Sequence, residues 1–165
     1  MTSSSQLLRD RIKEEYKKCA LSAAYFLTKY CYIQHPVRGR VLFDLYDYQK
    51  NALGEFQEHD YNIVLKGRQI GISTLVAGYA LWLLLFHNDK NILVIATKQE
   101  TAKNLVTKVR FMHQNLPVWL RGEIVTDNKL SLQFTNGSQI KAVASSKDAG
   151  RSEALSLLIL DEAAF

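Results

Sequence analysis

Leu157-Leu158-Ile159-Leu160-Asp161-Glu162 is the stretch that organises the reading of this chain. Four apolar residues running into two acids describe a buried parallel strand that delivers carboxylates to a phosphate site. Well upstream lies Lys66-Gly67-Arg68-Gln69-Ile70-Gly71-Ile72-Ser73-Thr74, which reads as a phosphate loop opening a helix. Either stretch alone has a plain alternative. Acids at strand ends often face water, and a glycine turn between strand and helix need hold no ligand. The two together, in this order, point to nucleoside triphosphate chemistry.

The usual phosphate loop is G-x-x-x-x-G-K-[ST] between a strand and a helix. Here Gly71 takes the place of the second glycine and Ser73 that of the hydroxyl. Ile72 stands where the lysine belongs, and Lys66 stands where the first glycine belongs. The chemistry needs a cation near the β- and γ-phosphates, backbone N–H groups around them, and a hydroxyl for Mg²⁺. Lys66 and Arg68 supply the cation, Gly71 the close backbone approach and Ser73 the metal ligand. Gly67, Gln69, Ile70, Ile72 and Thr74 complete the nucleotide-binding stretch.

At the acidic strand, Asp161 is expected to hold Mg²⁺ and Glu162 to polarise the attacking water. Arg151 lies in Asp148-Ala149-Gly150-Arg151-Ser152, just before that strand. A guanidinium there is a candidate arginine finger, a contact worth about 10³–10⁵ in rate. Its alternative is a surface ion pair. Tyr46, Tyr48 and Gln49 precede the loop. A glutamine amide carries both donor and acceptor groups, enough to read an adenine edge.

The 165 residues are 47% hydrophobic, which suffices for a real core. Cys19 and Cys31 are too few for a disulfide framework or a zinc cluster and are expected to be reduced thiols near a helix face. The first fifteen residues are polar and charged, unlike a signal peptide. The longest apolar stretch, Thr74 to Phe86, falls short of the about 20 residues of a bilayer span, so it is expected to be a core helix. Net charge is +5. Residues 1–40 hold eight Lys/Arg against three acids, and the remainder is balanced. That basic segment can face DNA or an acidic partner, or be a solvated helix face. No aromatic-plus-basic nucleic-acid motif accompanies it.

Leu8, Ile12, Tyr16, Cys19, Ala23, Phe26/Leu27 and Tyr30 recur at three- and four-residue steps, which predicts one helix of roughly 25 residues. His35-Pro36 and Gly39 end it. Further helices are predicted over Asp47–Glu58, Ile72–His87 and Lys98–Asn115. Strands are predicted at Val41–Phe43, Asn62–Leu65, Asn91–Ala96 and Leu157–Leu160. Leu130, Leu132 and Phe134 alternate, Asn136-Gly137 turns, and Ile140 and Ala142 return, which is a hairpin signal. Residues 145–154 read as a polar loop. The alternation of strand and helix predicts an α/β fold with a mostly parallel sheet.

In this order the pieces resemble the ATPase part of the large terminase subunit of tailed bacteriophages. The family's adenine motif is matched by Tyr48-Gln49, and its loop by Arg68-Gln69-Ile70-Gly71-Ile72-Ser73. Its hairpin, small-residue run and arginine are matched by Asn136-Gly137-Ser138, Ala144-Ser145-Ser146, Asp148-Ala149 and Arg151. Its acidic (Walker B) strand is matched by Leu158 to Glu162. The likeness spans about residues 40–165. Ile72 is the departure, and Lys66 fits a variant with the loop lysine at the start.

The resemblance implies a P-loop NTPase of the ASCE type, incomplete, with residues 1–40 as a basic helical segment and 41–165 as the N-terminal part of the ATPase domain. It implies ATP and Mg²⁺, and action as a DNA-packaging motor. The partners implied are double-stranded viral DNA, the portal protein of the procapsid, the small terminase subunit and further copies in a ring, with no membrane. The place implied is the host cytoplasm, at the portal. In this class a further strand separates the loop strand from the acidic one. A coupling segment and a nuclease domain follow. The chain is therefore expected to be a split gene product or a truncated sequence, poorly folded or inactive by itself and restored by a C-terminal terminase chain. A helicase-type DNA translocase and a non-catalytic fragment that binds nucleotide or a partner are the alternatives.

Overall fold

The computed structural model describes residues 4–145 and 154–162. The chain begins with two helices, α1 (Ser4–Leu21) and α2 (Ala23–Tyr30), and a hairpin of β1 (Tyr32–His35) and β2 (Gly39–Leu42). Then follow α3 (Asp47–Glu58), α4 (Ile72–Phe86), β3 (Asn91–Ala96) and α5 (Gln99–Gln114). After a 3₁₀ turn at Val118–Leu120 come β4 (Ile124–Asn128), β5 (Ser131–Phe134), β6 (Gln139–Ala144) and β7 (Leu157–Asp161).

The single helix predicted at the N-terminus is two. Ser22 interrupts it with extended backbone, and its hydroxyl accepts the Tyr25 N–H at 3.1 Å, capping α2. The apolar stripe continues through the break, so periodicity alone does not reveal it. Glu15 pins the two helices together. Its carboxylate accepts from Lys29, Tyr30, Tyr25 and Lys18 at 2.6–2.9 Å. On α2, Phe26 and Leu27 are fully buried. A Cβ on Gly78 of α4 would lie 2.6 Å from Leu27 Cδ2, so the bare glycine is what lets α2 lie this close to α4. Cys19 and Cys31 are free and buried, and burial raises both thiols, Cys19 to about 11.

Nine of the fifteen residues of α4 are buried, which explains a sequence that is apolar almost all round. No helix among the described residues is long and apolar enough to cross a membrane.

The main sheet has the order β4-β5-β6-β3-β7. β3 is paired in parallel with β6 and β7, setting Val94 opposite Ala142 and Ile159. β4–β5 and β5–β6 are antiparallel. The sheet is therefore mixed, where a mostly parallel one was expected. The hairpin signal around Asn136-Gly137 is borne out, and β4 extends the meander by a further antiparallel strand. Residues 32–35 and 39–42 form a separate two-stranded sheet.

A second correction concerns Asn62–Leu65, which form no strand. Ile63 and Leu65 are fully exposed. An apolar run becomes a strand only when a neighbour takes up its N–H and C=O groups. β7 is the last strand of its sheet, and among the described residues nothing pairs with its free edge. Leu158 and Leu160 on β7 are about half exposed, at 47% and 55%.

The hairpin turn between β5 and β6 also closes the end of α4. Asn136 Nδ2 donates to the carbonyls of Leu84 (2.8 Å) and His87 (3.2 Å). Ser138 Oγ donates to His87 O at 2.8 Å and accepts from Lys90 N at 3.1 Å. Gly137 sits at φ 81°, where a side chain would be strained, and a Cβ there would stand 2.1 Å from Asp89 Oδ1, so glycine suits the turn.

Candidate functional site

Gly71, in the left-handed region at φ 79°, is the N-cap of α4, and its carbonyl accepts from Thr74 N and Leu75 N. Gln69 is left-handed as well, at φ 62°. That is uncommon for a residue with a side chain and marks a loop held in a particular shape. The loop is held from α3. Tyr48 donates its hydroxyl to Ile70 O at 2.5 Å, and Gln49 Nε2 reaches the same carbonyl at 3.4 Å. Gln49 is 2% exposed, and its Oε1 accepts Tyr46 N at 3.1 Å, closing a capping box at the start of α3. Tyr46 and Tyr48 stack 5.6 Å apart beside it, both exposed. The amide that the sequence offers for an adenine edge is thus also in contact with the loop. The contacts to Ile70 join residues 21 and 22 positions apart, which no local pattern signals.

Ser73 lies in the first turn of α4, where backbone N–H groups lack helical partners. Its Oγ stands 3.4 Å from Asp161 Oδ2, across 88 residues of sequence. This contact brings the loop and the acidic strand together. Asp161 ends β7, in register with Ala96 of β3, and its Oδ1 accepts the N–H of Glu162 at 3.1 Å. Glu162 is exposed and left-handed, at φ 56°, so the chain turns sharply off the strand at the second acid. Lys66, Gly67 and Arg68 are exposed, and neither cation has an ion pair or hydrogen bond among the described residues. Ile72 points the other way and is buried, 6% exposed, as the first core residue of α4. Arg151 lies outside the described residues.

A hydroxyl and a carboxylate oxygen side by side are hard donors of the kind Mg²⁺ takes, the rest of its shell being water and substrate phosphate. Ser73 and Asp161 fit that ion. No group of three or more His, Cys, Asp or Glu that could hold a metal occurs among the described residues.

These features define a class: an α/β protein with a mixed sheet, whose loop-to-helix turn faces an acidic strand end. The family is given by its sequence. Residues 63–165 match the family model for the terminase large subunit, T4likevirus-type, N-terminal, and the chain belongs to that family. The fold is similar to that in the crystal structure of the HK97 bacteriophage large terminase, with a TM-score of 0.62 at 17% identity. The match covers 86% of this chain and 37% of that one, so the chain spans well under half the length of that relative.

Proposed function

We propose that this chain is the ATP-binding and ATP-hydrolysing portion of a motor that drives double-stranded viral DNA into a procapsid. The observation that carries the reading is the approach of Ser73 Oγ to Asp161 Oδ2 at 3.4 Å, within a chain of the terminase large-subunit family. Ser73 and Asp161 would hold Mg²⁺, which supplies charge neutralisation at the β- and γ-phosphates when bound. Lys66 and Arg68, exposed and without partners of their own among the described residues, clamp the phosphates. Gln69, Ile70, Gly71 and Ile72 present backbone to them at the mouth of α4.

Glu162 accepts the proton of the attacking water. The left-handed backbone at Glu162, where the chain leaves the strand that ends at Asp161, supports a separate role for it. Arg151 stabilises the transition state in a neighbouring subunit of a ring. The portal protein and the small terminase subunit are the partners in this reading, and the host cytoplasm, at the portal, is its setting.

The test of the chemistry is Glu162→Gln in this chain assembled with the C-terminal terminase chain expected to complete it. It should still bind Mg²⁺-ATP and lose turnover by about 10²–10⁴-fold, because an amide cannot take the proton. A variant that hydrolyses ATP at the normal rate would remove Glu162 from the mechanism. Mixing Arg151→Ala with Glu162→Gln subunits should restore part of the activity. Intact assemblies with no activity in any mixture would contradict action between subunits.

A further inference from the structure

We propose that Tyr48, backed by Gln49, is a latch that sets the orientation of one peptide in the phosphate loop. The inference rests on the phosphate-binding reading above and adds to it a positioning pair. In a trans peptide the C=O and the following N–H point in opposite directions. The carbonyl of Ile70 is drawn to α3 by the Tyr48 hydroxyl at 2.5 Å and by Gln49 Nε2 at 3.4 Å. The N–H of Gly71 is thereby turned away from α3, and it donates to nothing among the described residues. A peptide free to flip would also present its carbonyl, which repels an anion. The latched peptide presents a donor.

The anchor for this latch is the buried end of α3. Gln49 is 2% exposed and is itself fixed through its Oε1 to Tyr46 N. It also stands where a Cβ on residue 71 would go, 2.8 Å away, so the glycine and the amide fit each other. Gln69 and Gly71 hold positive φ on either side of Ile70; glycine adopts it freely, but Gln69 does so at a cost that needs support from outside the loop. Tyr48 is 43% exposed, so the hydroxyl is a removable part of the device, while the ring retains its stack on Tyr46.

The test uses the full chain labelled with ¹⁵N-glycine, whose eight glycines make an assignable spectrum. Mg²⁺-ADP is the probe, titrated into wild type and Tyr48→Phe. In wild type the Gly71 amide should move on binding. In Tyr48→Phe the affinity should fall about three- to tenfold, the weight of one hydrogen bond, and the Gly71 shift should shrink. The melting temperature should stay the same, which separates positioning from a loss of fold. Equal affinity and an equal Gly71 shift in Tyr48→Phe would overturn the latch and leave phosphate binding intact. A wild-type chain that does not bind Mg²⁺-ADP would instead overturn the phosphate reading, and the latch with it.

Discussion

At its C-terminal end α4 hands its carbonyls to a neighbour: those of Leu84 and His87 accept from Asn136 and Ser138. At its N-terminal end the helix opens on Gly71, behind a loop whose residues 66–70 are all exposed. One end is closed by the chain's own side chains, and the other keeps donors and two cations without internal partners among the described residues. A helix buried along its length can bear an open end only because its other contacts hold it still. The hairpin contact is thus part of what holds α4 in place behind the loop. The same contrast separates the two edges of the sheet. β4 is tied down by Arg110, which pairs with Asp127 at 2.7 Å and also reaches Asn128 O. β7 carries the acid, and among the described residues its outer edge is unpaired.

The largest effect is expected at the open end. Lys66→Ala should cut ATP turnover by about 10²–10³-fold, the cost of losing a charge-stabilising contact in the transition state. Ile72→Lys should not rescue it, because position 72 faces the core and not the loop. Steady-state kinetics in a functional full-length context decides this. Normal turnover in Lys66→Ala would hand the role to Arg68.

The closed end should fail differently. Asn136→Ala leaves Leu84 O without its side-chain donor, while His87 O keeps the one from Ser138, and should cost about 1–3 kcal/mol of folding stability. Affinity for Mg²⁺-ATP, measured below the melting transition, should be unchanged. Denaturant melts alongside nucleotide titration would show whether the two ends separate in this way. A large affinity loss with normal stability would mean they do not.

The smallest effect belongs to Glu15, which ties α1 to α2. The hydrogen bond from Lys29 leads the causes, followed by those from Tyr30, Lys18 and Tyr25, and together they hold its carboxyl well below the usual carboxylate range. Lys18 and Lys29 are raised in turn and stay charged throughout the acid range. A depressed folded pKa means that the contribution is fully present above the unfolded value of about 4.3 and is lost as pH falls towards the folded one. Thermal melts of Glu15→Gln should therefore lose the acid-side slope that wild type shows below that value. Parallel acid limbs would deny Glu15 this role.

Much of this contrast is legible in the chain itself. Asp47–Glu58 and Asn91–Ala96 lie where their patterns put them, because a capped amphipathic helix and a continuous apolar run are local signals. Asn136-Gly137 marks its hairpin for the same reason. The lysine at position 66 and the isoleucine at 72 are legible as a reciprocal change, and the structure adds that Ile72 is buried. Ser22 is not legible, since a cap inside an unbroken stripe resembles any other polar position. Asn62–Leu65 mislead, because an apolar run carries no sign of whether a neighbour will pair with it. The grip of Tyr48 on Ile70 and the approach of Ser73 to Asp161 depend on packing between distant segments.

The most direct test of the open end as a nucleotide site is a calorimetric titration of the full chain with ATP, with and without Mg²⁺, in wild type and in Asp161→Asn. The account predicts Mg²⁺-dependent binding in wild type, and in Asp161→Asn a loss of that dependence with an unchanged melting temperature. Equal affinity in the two proteins, or binding in wild type that is indifferent to Mg²⁺, would contradict it.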